Sequence, residues 1–165
     1  MPGQPKTTAG RGKAAIVAVA MAIAMGMASH FEGIRHRSYA DVAGVWTICK
    51  GHTHDVRPGQ VATDTQCEAW LKQDMGAALA DVQRCIRVPM TPGALGAFTD
   101  AAYNIGPRVV CGSSLQRKAN AGDMQGACAE LLRWVYANGK KVAGLLKRRR
   151  AEWELCTSTT ALGTP

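Results

Sequence analysis

The sequence lacks the patterns of several common functional classes. It contains no C-x-x-C pair, which argues against a zinc ribbon and against a thioredoxin-like redox site. It also contains no H-E-x-x-H motif, so a metal site built from His52, His54 and Asp55 would lack a third ligand with metallopeptidase spacing. We therefore expect neither a metal ion nor a cofactor.

No nucleic-acid recognition module is visible, although the formal net charge is +8. The basic residues are gathered in pieces such as Lys140 and Lys141 and the run at 147–150. A solvated basic helix face explains such a run, and attraction to an anionic envelope surface or cell wall needs nothing beyond charge. Nucleic acid is therefore not an expected partner.

The six cysteines are numerous and even in count for a chain of this size. Structural disulfides in an oxidising compartment account for them, which implies export. Six cysteines allow about fifteen complete pairings, so counting leaves the connectivity open. Our hypothesis is pairing between neighbours in sequence: Cys49–Cys67, Cys85–Cys111 and Cys128–Cys156.

The N-terminus is free of acidic residues. Residues 1–13 carry three basic residues, and residues 14–28 contain neither a charge nor a leucine. This order is typical of the n-region and h-region of an export signal. A helix of that length, at ~1.5 Å per residue, is ~22 Å long and falls short of the ~30 Å hydrocarbon core of a bilayer. We interpret 1–13 as a basic tail and 14–29 as a weak signal anchor.

Two fates of this anchor remain open. Cleavage after a small residue such as Ala28 would leave Glu32 on a frayed new terminus. We favour an uncleaved anchor that leaves the membrane and refolds as a helix leading into the Glu32 region. A third interpretation, a core helix of a cytosolic protein, disagrees with the basic leader and with the cysteines.

The body of the chain, residues 30–156, is predicted to be one globular domain, followed by a tail at 157–165. Glycines and the β-branched run "VWTI" between residues 33 and 57 predict a short hairpin sheet. A capping box of Thr65 and Glu68 predicts a long helix through about residue 84.

Further helices are predicted downstream. Thr91 as N-cap and Pro92 at the first position predict a helix that ends at Gly106. Three more helices are predicted over 113–121, 122–136 and 140–156, separated by single glycines. A small sheet ahead of a helical bundle is an α+β arrangement, and a cleft between the two parts is the expected place for a site.

Two carboxylates follow the apolar segment closely, Glu32 and, nine residues later, Asp41. Hydrolysis of a glycosidic bond requires an acid for the leaving oxygen and a second carboxylate that acts on water or on the sugar. The pair alone is weak, since solvated surface acids are common. Its context is specific: "EG" at 32–33, Asp41, Thr47 and "GHT" at 51–53 resemble the glutamate, aspartate and threonine triad of the phage-type lysozymes.

The resemblance continues along nearly all of residues 31–156. The accompanying stretches are "LKQD" at 71–74, "AAYNIG" at 101–106, "SSLQRKANAGD" at 113–123, "LLRW" at 131–134 and "KRRRAEWELC" at 147–156. It implies a lysozyme-like fold with a small hairpin lobe, a larger helical lobe and a cleft between them. It also implies a monomer that cuts the glycan strands of peptidoglycan between N-acetylmuramic acid and N-acetylglucosamine.

The resemblance assigns roles to individual residues. It implies Glu32 as general acid, Asp41 as second carboxylate and Thr47 as a hydroxyl that orients water, with inversion as the favoured outcome. It also implies a structural pair, His52 with Asp74. Asn104 and Gly106 match a cleft-lining turn of that family, although a plain helix C-cap also explains them. Trp134 belongs either to the core, which is favoured, or to the cleft wall. All three are candidate substrate-binding residues. Which basic residue of 147–150 neighbours Glu32 stays open.

A weak anchor directly before the catalytic glutamate resembles the signal-arrest-release subgroup of phage endolysins. Such enzymes pass through the host export machinery, wait tethered in the inner membrane and act in the periplasm after release. Some use a cysteine inside the anchor, but residues 14–28 contain none, so a refolding switch is favoured. Two other functions remain open: a lytic transglycosylase on the same glycan, and a cationic protein that disrupts membranes.

Overall fold

A computed structural model describes residues 8–158 of the protein. Residues 1–7 and 159–165, which hold much of the two predicted tails, lie outside the described residues. The elements, in chain order, are α1 (Thr8–Phe31), β1 (Arg35–Ala40), β2 (Trp46–Cys49), α2 (Asp64–Cys85), α3 (Pro92–Ile105), α4 (Ser114–Asn120), α5 (Met124–Glu130), β3 (Tyr136–Ala137), β4 (Lys140–Lys141) and α6 (Ala143–Thr157). Short 3-10 turns follow α3 and α5. The predicted α+β class is confirmed.

The helical lobe is built around α3. All of its residues from 94 to 102 are buried, because α1, α2 and α6 pack against it. Its predicted limits are confirmed: the Thr91 side chain accepts a hydrogen bond from the Ala94 N–H, and Gly106 ends the helix at φ +88°. This positive φ explains the glycine, since other residues rarely adopt it.

The hairpin lobe is formed by β1 and β2, as the sequence predicts. These strands pair antiparallel, with Tyr39 opposite Thr47. The long helix α2 follows, but its predicted cap is wrong by two residues. Thr63 is the N-cap, and the reciprocal capping box pairs it with Gln66. Thr63 with Gln66 and Thr65 with Glu68 both fit the capping pattern. The backbone of Thr63 is extended, so the helix begins directly after this residue.

The predicted helices at 122–136 and 140–156 need correction. The first ends at Glu130, and residues 136–137 and 140–141 pair as the small hairpin of β3 and β4. Asn138 and Gly139 connect these strands with φ values of 49° and 73°. An Asn-Gly pair with both residues at positive φ is the preferred two-residue hairpin turn, so the local turn preference overrides the helical pattern.

Three disulfides join the elements, and the nearest-neighbour pairing is confirmed. Cys49–Cys67 links the end of β2 to α2, Cys85–Cys111 links the end of α2 to the segment after α3, and Cys128–Cys156 links α5 to α6. The first of these ties the hairpin lobe covalently to the helical lobe.

The apolar segment predicted as an anchor lies within α1. Ala20, Ala24 and Ala28 repeat every four residues and are fully buried. The opposite face, which includes Ala18, Ala22 and Gly26, is exposed. Among the described residues, one helix is long and apolar enough to cross a membrane, Gly10–Phe31, a test that signal sequences and core helices also pass. The face left in water thus carries little apolar surface.

The contact between α1 and α3 is unusually close at Gly96. A Cβ atom added there would lie 2.8 Å from Cγ2 of Ile23 and 3.0 Å from the carbonyl oxygen of Ala20. Real Cβ atoms essentially never approach other heavy atoms below 3.0 Å. Glycine is therefore the residue that allows α1 to seat on the central helix.

Candidate active site

A cleft between the hairpin lobe and α3 brings together the three residues predicted to be catalytic. Its cavity measures about 270 Å³. The residues that line it are Glu32, Tyr39, Asp41, Thr47, Lys50, Gly51, Thr53, Tyr103 and Asn104. Asn104, which was predicted to bind substrate, also lies in this cleft.

Glu32 enters the cleft from the end of α1. Its N–H donates to the carbonyl of Ala28 at 2.8 Å, so the residue continues the geometry of the helix. Two side chains donate to its Oε1 atom, Nη1 of Arg148 at 2.5 Å and Nδ2 of Asn104 at 3.4 Å. No described residue hydrogen-bonds to Oε2, and the side chain is 29% exposed. The position of Glu32 therefore depends on α1, and its Oε2 atom is available to a substrate.

Asp41 enters from the turn between β1 and β2. Its Oδ1 atom accepts hydrogen bonds from the N–H groups of Ala43 at 2.9 Å and Val45 at 2.8 Å. Gly44, at φ +79°, allows the chain to close this turn, and its N–H donates to the carbonyl of Asp41. The carboxylate is thus held by its own turn, and Oδ2 is left without a hydrogen bond from the described residues.

Thr47 lies on β2, where its side chain faces the cleft. The residue is buried, and its hydroxyl donates to the carbonyl of Val45 at 3.1 Å. Because this bond uses the only hydroxyl hydrogen, the oxygen can meet a bound water only as an acceptor.

A cluster of buried charges lies behind Glu32, and Arg148 is the residue of 147–150 that touches it. Arg148 donates to both oxygens of Asp100, from Nε at 2.9 Å and from Nη2 at 2.8 Å. Burial lowers the pKa of Arg148, but the hydrogen bonds to Asp100 and Glu32 outweigh it and raise the pKa above its usual value. Arg148 is therefore a permanent cation.

Arg149 forms the second half of this cluster. Its Nη2 atom donates to Oδ1 of Asn104 at 2.9 Å and also to Oε1 of Glu152. Because a guanidinium only donates, Asn104 must present its oxygen to Arg149 and its NH₂ group to Glu32. Burial raises the pKa of Glu152 well above its usual value, a rise that Arg149 opposes and a hydrogen bond with Asp100 reinforces.

Tyr103 connects the two lobes across the cleft. Its hydroxyl donates to the backbone carbonyl of Lys50, in the loop after β2. Burial raises the pKa of the Tyr103 phenol, and the negative charge of Glu32 adds to the rise. The phenol therefore stays protonated and keeps its bond to the hairpin lobe.

The predicted contact between His52 and Asp74 is present. Nδ1 of His52 lies 2.8 Å from Oδ2 of Asp74, and the imidazole stacks on the ring of Trp70. The pair joins the hairpin lobe to α2 away from the cleft lining. Within residues 8–158, no three His, Cys, Asp or Glu side chains are grouped so that they could hold a metal ion.

Two residues predicted to bind substrate lie outside this cleft. Gly106 ends α3, and Trp134 packs partly on the core and lines a separate groove with Ile105 and Arg108. The sequence predictions do not include Asp100 and Tyr103. Asp100 precedes Asn104 by four residues on the predicted helix, and this spacing is the signal that places both on one face.

The comparisons with known proteins agree with this geometry. The model of the phage lysozyme family matches residues 29–152. A SAR-endolysin of Bacteriophage PS119 is 40% identical over 126 residues, which is 76% of this chain and 75% of that protein. The predicted lysozyme-like fold is confirmed by the crystal structure of the active form of the P1 phage endolysin Lyz, with a TM-score of 0.75 and 28% identity over 87% of this chain and 92% of that chain.

A second crystal structure of the same endolysin, its secreted inactive form, is less similar. It gives a TM-score of 0.51 with 28% identity, and it covers 62% of this chain and 74% of that chain. The arrangement described here is therefore closer to the active form than to the inactive form of that protein.

Proposed function

The chain belongs to the phage lysozyme family and is an endolysin that degrades peptidoglycan, and on this premise we propose that it hydrolyses the β-1,4 bond between N-acetylmuramic acid and N-acetylglucosamine. The observation that carries the proposal is the meeting of Glu32 and Asp41 in one cleft. Two carboxylates that flank a sugar are the recurring machinery of glycoside hydrolysis.

Glu32 serves as the general acid. Arg148 and Asn104 both donate to its Oε1 atom, so the proton belongs on Oε2. From there it passes to the glycosidic oxygen as the bond to the anomeric carbon breaks, and the leaving sugar departs as an alcohol.

Asp41 and Thr47 activate the water. The free Oδ2 atom of Asp41 and the hydroxyl oxygen of Thr47 are both acceptors, so one water donates a hydrogen to each. The lone pair of that water then faces the sugar. Asp41 takes the proton as the water attacks the anomeric carbon, on the face opposite to the leaving group, and the configuration inverts.

Product analysis separates this hydrolase from a lytic transglycosylase. A transglycosylase uses the muramic acid hydroxyl as the nucleophile, leaves an anhydro sugar and has no need of Asp41. We expect wild-type protein to release reducing, hydrated ends by mass spectrometry, with the α-anomer formed first by NMR. The rate of the Asp41→Asn variant should be lower than that of wild type by a factor of about 10² to 10⁴.

The matched control is Asp55→Asn. Asp55 is exposed in the same lobe, outside the residues that line the cleft, so its variant should keep the wild-type rate. Exclusively anhydro-terminated fragments, or full activity in Asp41→Asn, would favour the transglycosylase.

We further propose that residues 14–29 tether the enzyme in the host inner membrane and that it acts in the periplasm after release. Ala18 and Ala22 are exposed, so leucine at both positions adds apolar surface without entering the packed face. Each substitution adds about 2 kcal/mol of membrane affinity. We expect the double variant to stay in the membrane fraction after the membrane potential is collapsed and to delay lysis, whereas wild type is released and lyses.

The control is activity on isolated peptidoglycan after extraction in mild detergent, where the double variant should match wild type. If membrane-held and soluble fractions of the wild type degrade peptidoglycan equally well, the tether has no inhibitory role.

A further inference from the structure

The buried charges behind the cleft include two acids that the proposed reaction does not use directly, Asp100 and Glu152. Asp100, Arg149 and Glu152 are fully buried, and Arg148 is 3% exposed. Glu32 is the charged member of this network that lines the cleft, and the neutral Asn104, which Arg149 contacts, lines it too. Burying four ionisable groups is costly unless each is paired, which indicates that the arrangement serves Glu32.

Arg148 is placed between two competing carboxylates. It gives two hydrogen bonds to Asp100, from Nε and Nη2, and one to Glu32, from Nη1. The two bonds to Asp100 have the bidentate geometry that fixes a guanidinium most firmly. Asp100 thus determines where Arg148 points and supplies most of its compensating negative charge.

The general acid must hold a proton until the sugar accepts it. An arginine without another counter-ion would hold Glu32 as a carboxylate, since an adjacent cation favours the charged form of an acid. An arginine whose charge is already balanced by Asp100 stabilises the carboxylate form of Glu32 much less. On the premise of the proposed function, we propose that Asp100 is a positioning residue of the reaction, which orients and neutralises Arg148 so that Glu32 can keep its proton.

Glu152 provides the matched comparison. It is as buried as Asp100, lies in the same cluster and is 3.8 Å from Nε of Arg148. Its Oε2 atom has no hydrogen-bond partner among the described residues. Burial raises the pKa of Glu152 above its usual value, and Arg149 opposes the rise. Arg148 gives its two hydrogen bonds within the cluster to Asp100 and none to Glu152.

The substitutions tested below do not remove the other charged and titratable groups around Glu32 and Asp100. They come from α2, α3, α6 and the hairpin lobe: Asp74, Tyr103, Arg149, Lys50, Asp41 and Tyr39. Tyr103 stays a protonated phenol in both variants, because burial is the largest cause of its raised pKa and Asp100 the smallest that is resolved.

The test compares the pH dependence of peptidoglycan degradation in Asp100→Asn and Glu152→Gln. Both replace a buried carboxyl with an amide of the same shape. In Asp100→Asn we expect kcat to fall at a pH about one unit lower than in wild type. On the high-pH side of the profile this is about a tenfold loss of kcat, and KM should be unchanged. Glu152→Gln should displace the profile much less, because Glu152 accepts its hydrogen bond from Arg149 and lies 3.8 Å from Nε of Arg148.

A loss of rate at every pH without displacement of the profile, or an equal displacement in both variants, would overturn the proposal. If Asp100→Asn does not fold, Asp100→Glu decides instead. This variant keeps a carboxyl group opposite Arg148 and should retain the wild-type profile, so a profile displaced to lower pH in Asp100→Glu would overturn the proposal. Glu32→Gln is assayed alongside: if it is active, the proposed function fails, whereas an inactive Glu32→Gln with an undisplaced Asp100→Asn contradicts only the role of Asp100.

Discussion

Replacing Glu32 with glutamine is expected to lower the rate of peptidoglycan degradation by at least about 10² to 10⁴, the usual contribution of a general acid. Glutamine keeps the length of the side chain and an oxygen that accepts the hydrogen bonds from Arg148 and Asn104. It loses the acidic proton, because an amide NH₂ group does not protonate a leaving alcohol at neutral pH. The measurement is the loss of turbidity of purified peptidoglycan.

The control for this substitution is Glu154→Gln. Glu154 is exposed on α6, on the same helix as Arg148 but outside the cleft. It should retain the wild-type rate, and both variants should keep the wild-type thermal midpoint within a few degrees. Activity of Glu32→Gln within tenfold of wild type would remove Glu32 from the role of acid. Liposome leakage that survives the substitution would instead favour a membrane-disrupting protein.

Replacing Gly96 with alanine is expected to lower activity by about 10², although position 96 lies outside the cleft lining. The added Cβ would overlap with Ile23 and approach the backbone of Ala20, so α1 must move away from α3. Overpacking of this kind costs about 1 to 3 kcal/mol. Glu32 follows the last turn of α1 directly, and a misplacement of ~1 Å is enough to cost about 10² in rate.

Gly26→Ala is the matched control on α1 itself. A Cβ at Gly26 meets no heavy atom within 4 Å, and alanine is a better helix former than glycine. This variant should keep full activity and be slightly more stable. Both proteins are compared as purified soluble enzyme, by thermal melting and by degradation of peptidoglycan. If Gly96→Ala matches Gly26→Ala in rate, the seating of α1 on α3 does not control the position of Glu32.

These two expectations share one structural cause. The segment that can span a membrane and the segment that delivers the acid are the same helix, because the N–H of Glu32 is bonded to the carbonyl of Ala28. In this structure α1 buries an alanine face and exposes another face of small residues that includes Ala18, Ala22 and Gly26. A helix of this composition is weakly held in lipid and tolerates water, which suits the proposed release.

Local patterns predicted most of the elements. The Thr91–Pro92 start and Gly106 end of α3 are decided by neighbouring backbone groups, so sequence is sufficient there. The start of α2 is ambiguous, because two overlapping residue pairs fit one capping pattern. The hairpin at 136–141 replaces the predicted helix, because its four strand residues are too few to establish a period of two and the Asn-Gly turn decides the local structure.

The sequence by itself determined the α+β class, predicted an export-type N-terminus and, through the family resemblance, identified the carboxylates Glu32 and Asp41. The disulfide pairing was a hypothesis until the structure confirmed it. Only the tertiary structure decided which arginine faces the acid and that Asp100 holds that arginine. These contacts join residues separated by 116 and 48 positions. Charge–charge contacts between residues so far apart produce no hydrophobic periodicity and no capping pattern in the sequence. They depend on how α1, α3 and α6 pack around one another.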